Sequence, residues 1–149
     1  MPRWRGWTDT GSASLEFITA GLILLVPLVY LVVAISAVQA GALAVEGVAR
    51  QAARVYVQGA DEAEARDLAG RAVEVGLADY GIAPGVAQVR IDCAGGPNGC
   101  LTRGSAVTVT VRIRVTLPLV PDLLALRGAA SIPLEATATQ TVSRFWGAG

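Results

Sequence analysis

The sequence predicts an α+β fold: one long N-terminal helix able to cross a membrane, a second amphipathic helix, and a small three-stranded antiparallel sheet. Three observations predict it. From Phe17 to Val45 no residue is charged, a run of 29 positions bounded by Glu16 and Glu46, whereas about 20 apolar residues already span a bilayer. Between Asp61 and Asp79 charged residues alternate with Ala, Leu and Val at helical spacing. Beyond Pro84 the period changes to strict alternation of apolar and polar residues.

Composition narrows the chemistry. The 149-residue chain has no net formal charge, and its 12 basic residues are all Arg, spread singly along the sequence. Without a basic patch, nucleic acid is not an expected partner. The chain contains no His and no Lys, so it has no imidazole base for a Ser or Cys nucleophile, no His metal ligand, no Schiff-base lysine and no lysine isopeptide cross-link. Two cysteines, Cys93 and Cys100, enclose the turn-rich segment Ala94-Gly95-Gly96-Pro97-Asn98-Gly99. In an exported domain this pair predicts a disulfide clip, the alternative being two free thiols. Two Cys alone supply too few ligands for a metal site, and no cofactor is expected.

The N-terminal segment carries the most specific signal. Met1 to Gly11 is short and polar, contains Arg3 and Arg5, and ends on Gly11; Ser12-Ala13-Ser14-Leu15-Glu16-Phe17 and the apolar run follow. A Gly, four small or apolar residues, a Glu and an aromatic residue together resemble the type IV prepilin signal. The stretch GSASLEFITAGLILLVPLVYLVV is most similar to TadE-type minor pseudopilins of the tight-adherence (Flp) pilus system, which often carry a Pro within the membrane helix, as Pro27 here. The resemblance implies that prepilin peptidase cuts after Gly11, making Ser12 the new N-terminus, with Glu16 as its fifth-position acid and Phe17 beside it. It also implies partners: the peptidase, other pilin or pseudopilin subunits with their assembly machinery, and membrane lipid. The N-terminus would lie inside and the C-terminal domain outside, and no catalytic residue is expected. Spacing permits the assembly role, because an ammonium at Ser12 and a carboxylate four residues on share a helix face. The competing reading is a secretory signal peptide cut after Val38-Gln39-Ala40 or Ala42-Leu43-Ala44, leaving an exported interaction domain; uncut, the same segment would be a signal anchor.

The expected organisation is a leader over residues 1–11, a spine helix over 12–58 and an extracytoplasmic head over 59–149. Glu46, Arg50 and Arg54 form an i, i+4 ladder, with Val45, Val48, Ala49 and Ala52 as the apolar side and Pro27 as an expected kink. Asp61-Glu62-Ala63-Glu64 reads as a capping box opening a second helix to about Asp79, with Ala65, Leu68, Ala69, Ala72 and Val73 as its buried stripe and Gly81 as its terminator. Val89, Ile91 and Cys93 mark a first strand, Val107 to Leu117 a second, and Ile132 to Ala138 a third. The first two flank the cysteine loop and read as a hairpin; Leu123, Leu124 and Leu126 read as one helical turn between the second and third. Arg112 and Arg114 are expected on the polar face with Glu135 across from them, and the tail Arg144 to Gly147 reads as a loose end. An extracytoplasmic enzyme would have only carboxylates such as Asp92, Asp122 and Glu135 to work with.

Overall fold

A computed structural model describes residues 12–83, 85–94, 99–118 and 131–147. The chain is α+β, with helix α1 (Ser12–Tyr56), helix α2 (Glu62–Ala78) and strands β1 (Gln88–Cys93), β2 (Ala106–Thr116) and β3 (Ser131–Thr141) in chain order. Gly11, Pro84, the loop residues 95–98 and the leucines Leu123, Leu124 and Leu126 lie outside the described residues. The fold divides into two compact units, one ending at Ile35 and the other starting at Ser36.

In the first unit α1 passes through Pro27 without ending. Its apolar side chains, among them Leu15, Phe17, Ile23, Leu24 and Val32, are exposed. This is the helix, among the described residues, that is long and apolar enough to cross a membrane.

In the second unit both helices cover one face of a sheet ordered β1-β2-β3, antiparallel throughout. The alternation of β2 carries the core. Val107, Val109, Val111 and Ile113 are buried, and the threonines and arginines between them face outward. Ala44, Val45, Val48, Ala49, Ala52, Ala53 and Tyr56 of α1 pack on that row, together with Ala65, Ala69, Val73 and Leu77 of α2. Small side chains let the backbones approach closely. A Cβ on Gly41 would stand 2.5 Å from Val115 Cγ2 and 2.9 Å from Leu134 Cδ1, and one on Gly76 would stand 2.6 Å from Val48 Cγ2. Of the predicted first-strand face, Ile91 and Cys93 are half-buried while Val89 is exposed.

Local chemistry sets the helix ends. Asp61 Oδ1 accepts from the Ala63 and Glu64 N–H groups at 2.8 and 2.9 Å, satisfying donors that the first turn leaves unpaired. Glu64 closes the box one residue early, accepting from Ala60 N–H at 2.8 Å. At the other end Gly81 N–H reaches Ala78 O and Ile82 N–H reaches Leu77 O, the paired bonds of a Schellman motif. Gly81 has φ +69°, the left-handed conformation that this position demands. On the outer sheet face Thr108 meets Thr139 at 2.9 Å, Thr110 meets Thr137 at 3.2 Å, and Arg112 pairs with Glu135 across β2 and β3.

The tail is not a loose end. Val142 is buried and exchanges backbone hydrogen bonds with Gly104 and Ser105. Trp146 is half-buried, and its Nε1–H donates to Gly59 O at 3.0 Å while its own carbonyl accepts from Arg103 Nε at 2.9 Å. An indole removed from water needs an acceptor for its one donor, and the α1–α2 turn supplies it.

Two substitutions test this packing in the full chain held in detergent. Gly41→Val forces the new side chain into Val115 and should lower head stability by about 2 kcal/mol, read as a drop in Tm. The Tyr56 hydroxyl is buried without a hydrogen-bond partner among the described residues, so Tyr56→Phe should leave Tm unchanged or raise it.

Candidate functional site

The residues with the most specific predicted role stand at the start of α1. Gly11 lies outside the described residues; Ser12 opens the helix, and Glu16 and Phe17 follow one turn later, both exposed. Glu16 shares a shallow surface with Leu15, Thr19, Ala20 and Ile23. Thr19 Oγ1 donates back to Leu15 O at 2.7 Å, the local bond by which a hydroxyl is tolerated in an apolar helix. Glu16 makes no ion pair with a described residue.

The second predicted site is present. Cys93, at the end of β1, and Cys100, ahead of β2, form a disulfide with Cα atoms 5.3 Å apart. The hairpin pairs Cys93 opposite Val107, so the bond clips its tip. A contact that spacing did not announce lies beside it: Cys100 N–H donates to Glu62 Oε1 at 2.7 Å, across 38 residues. Gly99 is left-handed, with φ +87°, and a Cβ there would collide with that same carboxylate oxygen. Glu62 Oε2 in turn pairs with Arg66 at 2.6 Å. The Cys100 N–H holds the Glu62 carboxyl below its usual range; partial desolvation pushes the other way, and Arg66 adds to the lowering. Burial, the largest influence on Tyr56 at the end of α1, pushes its phenol up; Arg66 opposes that rise and Glu62 adds to it.

The carboxylates considered for catalysis are each placed beside an arginine where the structure describes them. Asp92 pairs with Arg90 at 2.9 Å and Glu135 with Arg112, both pairs on the outer sheet face; Asp122 lies outside the described residues. Asp92 stands opposite Thr108 and Glu135 opposite Arg112, on strands separated by β2. Strand geometry puts their backbones roughly 16 Å apart, and both border one outer-face pocket with Arg90, Thr110 and Arg112.

Comparison with protein-family models, with curated proteins and with solved structures finds no match.

A lowered folded-state pKa gives stability that is present above the unfolded value and lost as pH falls through the folded one. The wild type should therefore exceed Glu62→Gln in stability at neutral pH. That advantage should fade as the pH falls below about 4, and opening the clip with Cys93→Ser and Cys100→Ser should move the Glu62 midpoint, read by carboxyl NMR, back up.

Proposed function

We propose that the chain is a minor pseudopilin, a non-enzymatic structural subunit. It would be anchored in the cytoplasmic membrane by α1, cut after Gly11, and used in assembly of a tight-adherence type pilus or a related secretion apparatus. The observation that carries this reading is the order Gly11, Ser12, Glu16, Phe17 immediately ahead of an uncharged run of 29 residues. The uncharged run from Phe17 to Val45 is longer than the roughly 20 residues that cross a hydrocarbon core of about 30 Å, and its side chains up to Val33 are exposed apart from the half-buried Tyr30. In such surroundings an amine on Ser12 and the carboxylate of Glu16 satisfy each other within one turn, or across to a neighbouring copy, because an unpaired charge in lipid is costly. A disulfide fits a head held outside the reducing cytoplasm.

The exported interaction domain with an ordinary signal peptide is the second reading. A cut after Ala44 would remove Gly41 and Ala44, which pack against β2 and β3 and inside the head core respectively. Burial of these residues weighs against that cut, while a cut after Ala40 leaves both in place.

Intact mass and N-terminal sequencing of the protein purified from membranes separate the alternatives. A start at Ser12 is expected; a start at Gly41 or Val45 means signal-peptide removal, and a retained Met1 means a plain anchor. Gly11→Leu should leave the leader attached, and efficient processing of that variant would overturn the proposed peptidase.

A further inference from the structure

The head carries a charge asymmetry that its zero net charge conceals. The segment Asp61 to Asp79 holds six carboxylates against Arg66 and Arg71, a net charge of −4. The other described residues from Ser36 onward hold three carboxylates against seven arginines, a net charge of +4. Those three, Glu46, Asp92 and Glu135, are each paired with an arginine. Among the described residues Arg54, Arg103, Arg114 and Arg144 are left without a carboxylate.

Arg103 lines a surface together with Asp61 and Glu62, and Arg114 lies on the outer sheet face, so the separation that matters is between Arg54 and the outer face of α2. On one side α1 and the edge strand β3 enclose a groove of about 350 Å³ lined by Gly47, Arg50, Arg54, Ala138, Thr139 and Gln140. Gly47 and Ala138 leave it open, Arg50 is neutralised by Glu46, and Arg54 is its uncompensated charge among the described residues. Across the head, α2 packs on α1 at Gly76, is held by Cys100 at its start, and leads into β1 at its end. Its buried stripe, Ala65, Ala69, Val73 and Leu77, turns Glu64, Asp67, Arg71 and Glu74 outward by helical periodicity. Asp67 pairs with Arg71, which leaves Glu64 and Glu74 as the net charge of that face.

From this complementarity we infer that the α1–β3 groove of one head receives the outer face of α2 from a second copy of this chain, with Arg54 set toward Glu74. The two surfaces differ and lie on opposite flanks, so the contact is heterologous and repeats: each copy offers a groove to one neighbour and a helix to another. It rests on the reading of the chain as a membrane subunit that associates with its own kind, and supplies the contact between heads that the Ser12–Glu16 pairing does not.

The test uses the full chain in native membranes, with the photo-crosslinker p-benzoylphenylalanine replacing Gln140 and crosslinked peptides mapped by mass spectrometry. Self-crosslinks to α2 are expected. Arg54→Glu or Glu74→Arg alone should cut their yield roughly threefold or more at low salt. Co-expression of the two single variants should restore it, since each then meets a complementary surface, while Arg114→Glu should leave it unchanged. Crosslinks to other surfaces, an equal loss with Arg114→Glu, or no recovery on co-expression would overturn the inference. The mature N-terminus is sequenced in the same samples: crosslinking to α2 with the leader retained would sink the processing reading and spare this contact, and a Ser12 start without such crosslinks would do the reverse.

Discussion

The approach of Gly41 of α1 to Val115 and Leu134 sets how closely α1 can lie on the sheet. A helix faced with Gly and Ala can lie almost directly on a row of valines, so the core is thin and has few side chains able to shift and heal a fault. Ala44, Ala49, Ala52 and Ala53 continue that face. They cost little conformational entropy to bury and keep α1 straightforwardly helical. The same economy recurs at Gly76, where α2 reaches α1.

A thin core puts a premium on ties at the periphery, and these converge on the turn between the helices. Asp61 and Glu64 satisfy the opening donors of α2, Glu62 holds the disulfide-clipped hairpin, and Trp146 reaches Gly59 from the far end of the chain. Each is a modest interaction alone. Together they join parts of the chain that local structure would leave independent, so that the helix pair and the sheet behave as one unit from Ser36 onward.

What could be read in the sequence was what local periodicity encodes. The Val107 to Ile113 alternation, the Asp61 cap, the stop at Gly81 and the Cys93–Cys100 clip are each written within a few residues, and each is present. The Glu62–Cys100 and Trp146–Gly59 contacts bridge 38 and 87 positions; no pattern in the chain announces which distant carbonyl an indole will find, and the tail accordingly read as loose. In α2 the buried row steps by four through Ala65, Ala69, Val73 and Leu77, so the expected stripe lacks Leu77, and its members Leu68 and Ala72 are only half-buried at the row's edge. For the candidate processing site, the spacing from Ser12 to Phe17 is a sequence signal throughout, and the structure adds that Glu16 and Phe17 are exposed on one helix.

The seat of Trp146 has an optical corollary. The chain contains three tryptophans, and Trp4 and Trp7 both precede Gly11. In a polypeptide starting at Ser12 a single indole remains, lodged against the carbonyl of Gly59. Its fluorescence would then report one place only, so the emission maximum becomes a built-in gauge of whether the end of the chain is fastened to the junction between the two helices.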